Sequence, residues 1–244
     1  MIKKIIALGL VSSLFWLGPA FAKNPVLLVH GINADSEMWR KGCMAKTLKN
    51  AGLDVFTLSD LFGDFPNRGQ GLIQEDVKLL KQAIDEIKRR TKSDKVDIVA
   101  YSRGGLVAEF YTMMYGGQYK SEMKYTYTDP RTSFQETKTI SNIPRYGDDI
   151  NQIIMLGTPN KGSGWADFIY EHPEEAKKIS KKIEEKVPGF VAPDVYAVGY
   201  EQLQKEGSNF MDYFWQQKLN PSVTYINLAE SRLKKCCWYP NIID

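Results

Sequence analysis

Residues 96–111, VDIVAYSRGGLVAEFY, constrain the fold more than any other stretch. Six strand-forming residues run directly into a helical pattern in which Leu106, Phe110 and Met113 share a face, and Ser102 sits at the junction. A strand that turns into a helix with no loop between them is the corner of a βα unit. So sharp a corner requires small residues two before and two after the serine, because the chain folds tightly upon itself. Ala100 and Gly104 hold those positions, with Gly105 next. The pattern is G-x-S-x-G with alanine in its first place, one methyl group from the usual signature. On such a corner a hydroxyl is held clear of the backbone as a nucleophile, and the start of the helix offers N–H groups and a positive dipole end to an oxyanion. The plainer reading is a serine that only satisfies a tight turn.

The rest of the chain alternates in the same way. Residues 25–30, PVLLVH, read as a buried strand. Asp35 is expected to cap a helix running to Ala51, with Met44, Leu48 and Ala51 on one face and Gly52 past its end. A strand at 53–58 follows. Then Ile73, Val77, Leu80, Ile84 and Ile87 recur at helical spacing and predict an amphipathic helix. Further strands are expected at 151–157 and 223–229. Strands alternating with helices specify an α/β fold with a mostly parallel sheet and helices on both faces. Two segments interrupt the alternation. Residues 116–149 are polar and tyrosine-rich, and read as a loop or small hairpin inserted at the sheet's edge. Residues 172–220 are helical and charged, with Ile179 and Ile183 on a narrow stripe; they read as a surface helix or as a cap over a pocket. The aromatic run at 209–215, NFMDYFW, reads as a core helix or as the lining of an acyl groove.

Four stretches in this order, PVLLVHGINADSEMW, IVAYSRGG, LGTPNKGSGWADF and GSNFMDYFWQQKLNPSVTYINLA, resemble secreted bacterial lipases and esterases of the α/β-hydrolase fold. The resemblance implies that Ser102 is the nucleophile and that the backbone N–H groups of Ile32 and Arg103 form the oxyanion hole. His30, Gly31 and Gly104 are then structural parts of the motif. It also implies carboxylic esters as substrates, acylglycerols or other lipid esters among them, with transient contact at a lipid interface and no organic cofactor; some lipases of this kind hold a structural calcium ion near the catalytic histidine, and no metal ligand is assigned here. Tyr101 and Arg103 stand where the family often has His and Met, so Arg103 is expected to place a charge beside the acyl site.

A serine nucleophile needs a base and a group to orient it. The resemblance places an acid after the strand at 223–229 and a histidine beyond one more strand. No histidine follows His172, and Asp244, the last residue, is the candidate acid. Three expectations compete: a lipase truncated at its C-terminus, with an exposed sheet edge prone to aggregation; a chain that recruits His172 as base; or a hydrolase fold that binds an acyl chain or a protein partner without turnover. His30 precedes the serine, against the usual order of serine, acid, histidine.

The N-terminus reads as an export signal. Lys3 and Lys4 precede an apolar run at 5–17 that is too short to span a bilayer, and Ala20-Phe21-Ala22 follows. Cleavage after Ala22 would leave residues 23–244 as one exported hydrolase domain. Without Lys3 and Lys4, the 32 basic residues of the sequence become 30 against 29 acidic ones, a balance with no nucleic-acid footprint. Cys43, Cys236 and Cys237 are an odd set for an oxidising compartment, and either one bridge from Cys43 or three thiols fits the spacing.

Overall fold

The computed structural model describes residues 23–129, 131–187, 190–205 and 207–228. In chain order, β1 (Val26–Val29) leads to α1 (Glu37–Lys41), α2 (Met44–Asn50), β2 (Val55–Thr57), the short α3 (Pro66–Gly69) and α4 (Ile73–Thr91). Then come β3 (Val96–Tyr101), α5 (Arg103–Met113), β4 (Glu122–Thr128), β5 (Gln135–Ser141) and β6 (Ile150–Leu156). The helices α6 (Gly164–Glu171), α7 (Pro173–Lys186), α8 (Val198–Glu201) and α9 (Asn209–Gln216) precede β7 (Thr224–Leu228).

Five strands form one parallel sheet in the order β2-β1-β3-β6-β7. Side chains alternate across it as strand geometry requires. Leu27, Val29, Ile98 and Ala100 face a core shared with α4 and α5, while Val26, Leu28 and Val99 face Trp39 of α1 and Ala45 of α2. Helices therefore cover both faces, as the alternation predicts. The stripe of α4 is fully buried from Ile73 to Ile87. Each such side chain withdrawn from water stabilises the fold by roughly 1.5–3 kcal/mol. At the far edge, Ile226 and Leu228 of β7 are exposed among the described residues.

Three expectations need correction. The helix from Asp35 to Ala51 is two helices, because Gly42 takes an extended backbone (ψ 162°) between them. Asp35 still accepts the Glu37 N–H at 3.1 Å, but Ala51 is exposed. The insertion at 116–149 is not at the sheet's edge. Its strands β4 and β5 pair only with each other, antiparallel, and turn Tyr125, Tyr127 and Ile140 into the main core near Phe210. In α7 the buried face carries Ala176 and Ser180, and Ile179 points outward, so small residues let this helix approach its neighbours. The run at 209–215 is a core helix: Phe210, Met211 and Phe214 are buried, with Phe210 5.8 Å from Phe110 between ring centres. Residues 1–22, Asp244, Cys236 and Cys237 lie outside the described residues, and Cys43 is exposed just before α2.

Candidate active site

The chain turns at Ser102 with φ 50° and ψ −129°, a conformation that L-residues rarely adopt. Two backbone bonds hold it there. Its N–H donates to the Leu156 carbonyl of β6 at 2.9 Å, and its carbonyl accepts from Gly105 at 3.0 Å. The need for small residues falls after the serine. A methyl group on Gly104 would lie 2.4 Å from the His30 carbonyl oxygen, and one on Gly105 would lie 2.0 Å from Thr158 Oγ1. Helix α5 is thereby drawn against the end of β1. Ala100, by contrast, lies inside β3 with its methyl in the core, paired between Val29 and Met155.

The turn after β1 lies against the serine. A Cβ on Gly31 would sit 2.8 Å from Ser102 Cβ and 3.4 Å from its Oγ. Ile32, the next residue, donates its N–H to no backbone or side-chain acceptor among the described residues. Arg103 is the first residue of α5, where an N–H has no intrahelical acceptor. Two unpaired backbone donors thus belong to the residues flanking Ser102 and Gly31.

The two histidines are occupied elsewhere. His30 is buried, and its Nε2 accepts the Phe65 N–H at 3.2 Å, so the proton is on Nδ1, which donates to the Gly31 carbonyl at 2.9 Å. Burial pushes its pKa down, against weaker raising effects from the Gly31 carbonyl and Asp64. A neutral ring with both nitrogens engaged ties the loop before α3 to the turn after β1. His172 ends α6 and caps α7, half-exposed, with its ring 5.4 Å from that of Phe168. Among the described residues no side chain hydrogen-bonds the Ser102 hydroxyl.

Arg103 does not put its charge beside an acyl site. Its side chain runs inward: Nη1 donates to Asp76 Oδ2 at 2.5 Å and Nη2 to the Gly71 carbonyl at 2.7 Å, with both partners of the ion pair almost wholly buried. Burial pushes the Asp76 carboxyl up and the guanidinium pulls it back.

Other polar groups near the site escaped the sequence reading. Gln202 accepts the Ile73 N–H at 2.8 Å and donates to Gln74, and beside it Tyr125 donates to Glu201, whose pKa burial pushes up to about 7. Polar residues set in an apolar frame, VGYEQL at 198–203, were the available signal. Glu109, on α5 one turn past Gly105, is buried with Oε2 unpartnered, and burial pushes it up to about 7. Over the turn after β1, Ile32 packs against Ile169, Ala176, Val195 and Tyr200, and Asn33 Nδ2 donates to the Val191 carbonyl at 2.6 Å. A cavity of about 830 Å³ opens between Gln70 and Leu72, Tyr127 and Lys138 of the hairpin, and Asp194 and Tyr196; Ser102 does not line it. No three His, Cys, Asp or Glu side chains among the described residues cluster as a metal site.

Comparison with known proteins agrees with this architecture. Residues 24–124, from before β1 into β4, match a family model described as alpha/beta hydrolase fold. No curated protein matches the chain. Among solved structures, it is similar to the mature form of Bacillus licheniformis lipase BlEst2, with 21% identity and a TM-score of 0.55 over 86% of this chain and 67% of that one. The propeptide form of that lipase gives 22% identity and a TM-score of 0.53, over 86% of this chain and 36% of that one. Phospholipase PlaB from Legionella pneumophila gives 14% identity and a TM-score of 0.52, over 85% of this chain and 39% of that one. The parallel sheet, the helices on its two faces and these likenesses give the chain the α/β-hydrolase fold.

Proposed function

We propose that the protein is a serine carboxylic-ester hydrolase, acting on acylglycerols or other lipid esters through an acyl-enzyme on Ser102. The observation that carries this reading is the left-handed backbone at Ser102, beside a turn and a helix start with unpaired N–H donors. Strain of about 1–3 kcal/mol at one residue persists where the surrounding structure enforces it, and such residues cluster at active sites. In the proposed reaction Ser102 Oγ loses its proton to a general base and attacks the ester carbonyl. The resulting oxyanion accepts from the Ile32 and Arg103 N–H groups, and the alcohol leaves with the proton. Water then releases the acid and restores the hydroxyl. Asp244 is the acid that the reading assigns.

Further parts of this reading rest on sequence and likeness together. Residues 1–22 act as a cleavable export signal, placing the enzyme outside the cytoplasm. The segment from α6 to α8 serves as a cap over the oxyanion turn, supported by its packing on Ile32. The two lipases named above are the likeness behind the choice of lipid esters. A second reading has an observation of its own. Both nitrogens of His30 are engaged and the His172 ring lies tilted against Phe168 at the end of α6, which favours a fold that holds an ester or acyl chain without turnover.

A serine-directed fluorophosphonate separates the two. Labelling of the native protein that disappears in Ser102→Ala is the outcome expected of the hydrolase. A well-folded native protein that takes no label supports the inert fold. Ester turnover that survives Ser102→Ala would sink the assignment of the nucleophile.

A further inference from the structure

Within the short α3 the chain carries three consecutive residues with positive φ: Asn67 (48°), Arg68 (55°) and Gly69 (70°). Two of them have side chains, and such conformations cost about 1–3 kcal/mol each unless surrounding contacts over-determine them. Here the contacts run to both sides of the candidate site. Arg68 Nη1 donates to Asp35 Oδ2 at 2.7 Å and Nη2 to the Asn33 carbonyl at 3.3 Å, both in the segment that follows the oxyanion turn. A Cβ on Gly69 would sit 3.0 Å from the Gly31 carbonyl oxygen, so this backbone lies directly on that turn. From the other side, Arg103 reaches Gly71 and Asp76 through its two terminal nitrogens. His30 adds a third tie through the Phe65 N–H.

Residues 67–71 therefore touch Gly31 and Asn33, the neighbours of Ile32 on either side, and the side chain of Arg103. Their guanidinium contacts lie on opposite sides, one reaching the turn that carries Ile32 and the other coming from the elbow residue itself. We propose that residues 67–71 form a strap that fixes the spacing between the Ile32 and Arg103 N–H groups, and that Arg103 and Arg68 are positioning residues acting through it. The Arg103 side chain is buried, and the two terminal nitrogens of Arg68 are engaged by Asp35 and Asn33. The inference rests on the reading of Ser102 as nucleophile, and it extends that reading from the donors to what holds them. A lysine at 103 keeps the charge facing Asp76, but a single ammonium does not reproduce the planar fork that reaches Asp76 and Gly71 together. Displacing a donor by about 1 Å is enough to cost on the order of 100-fold in rate.

The test compares the second-order rate of Ser102 labelling by a fluorophosphonate, whose phosphoryl oxygen occupies the oxyanion site, with thermal melting of the same samples. Native protein is set beside Arg103→Lys, Arg68→Gln and the pair Arg103→Met with Asp76→Leu, which removes both buried charges at once. The expected result is labelling slowed about tenfold or more in both Arg103 variants and about threefold in Arg68→Gln, measured well below each melting temperature. For ester turnover, kcat falls and KM holds. Variants that lower the melting temperature and label at the native rate would overturn the proposal and leave the arginines as fold supports. Native protein that takes no label overturns the nucleophile reading and the strap with it. Labelling of the native protein with unchanged rates in all three variants overturns the strap alone.

Discussion

The elbow at Ser102 and the helical segment lying over it are held by different kinds of contact. At the elbow, backbone meets backbone: Gly104 faces the His30 carbonyl at a distance that excludes a methyl group, and the Ser102 N–H is tied to β6. The segment from α6 to α8 rests on a small apolar cluster around Ile32. Hydrogen bonds add to it, among them Asn33 to Val191, the Asp194 N–H to Gln70 Oε1 at 2.8 Å, the Gly199 N–H to the Gln70 carbonyl at 3.0 Å, Arg131 to Asp194 and Tyr125 to Glu201. A backbone junction without free volume has one arrangement. A face held by a small apolar cluster, side-chain bonds and one close backbone approach, Gly199 on Gln70, is less constrained and can open locally without the rest of the fold. One region sets positions, and the other is free to be loose.

Three measurements would break or sharpen that contrast. The largest effect is expected from Gly104→Ala, whose methyl forces α5 away from β1. Urea unfolding should show a loss of about 3 kcal/mol or a chain that fails to fold; native stability would mean that the elbow yields and that the contrast is wrong. Next comes Glu109→Gln, within the elbow helix. Burial raises this carboxyl from the ordinary glutamate value of 4.5 to about 7, so the folded state holds its proton where the unfolded chain has lost it. The stability present below about pH 4.5 is therefore lost as pH rises toward 7. The variant should gain on the order of 2 kcal/mol over the native protein at pH 8 and almost nothing at pH 4.5. Glu201 titrates in the same window in both proteins and cancels in the difference. The smallest effect belongs to Asn33→Ala, which removes one bond to the overlying segment. Global unfolding should move by no more than about 1 kcal/mol, while amide exchange in residues 190–200 accelerates. Equal exchange rates would show that packing and the bonds to Gln70 hold the segment without Asn33.

The same contrast explains what could be read from the sequence. The elbow was legible because its demands are local: a strand, a helix and small residues at fixed offsets around Ser102. The buried stripe of α4 was legible for the same reason, since period and burial coincide over 19 residues. What failed depended on tertiary approach. Nothing in the offset between Ser102 and Arg103 says that the guanidinium turns inward to Asp76, 27 positions earlier. Hairpin β4–β5 has the alternation of a strand pair, but which surface its tyrosines cover is decided by α9, far along the chain. In α7 the apolar residues suggested one face, and Ala176 and Ser180 gave the closer approach. Gly42 was visible in the sequence, yet a glycine within a helical pattern is often tolerated, and here the backbone extends. Asp244, the acid expected from the resemblance, lies outside the described residues, both nitrogens of His30 are engaged, and His172 sits half-exposed against Phe168.

The positive φ of Ser102 also bears on heat resistance. Glycine populates that backbone region without the penalty that a side chain incurs there. A molecule shaped by thermal endurance alone would place glycine at this corner and be harder to unfold. Keeping a hydroxyl at the corner holds the folded state above the lowest free energy its architecture allows. On the proposed reading of Ser102, ruggedness and reactivity meet at one residue and pull in opposite directions.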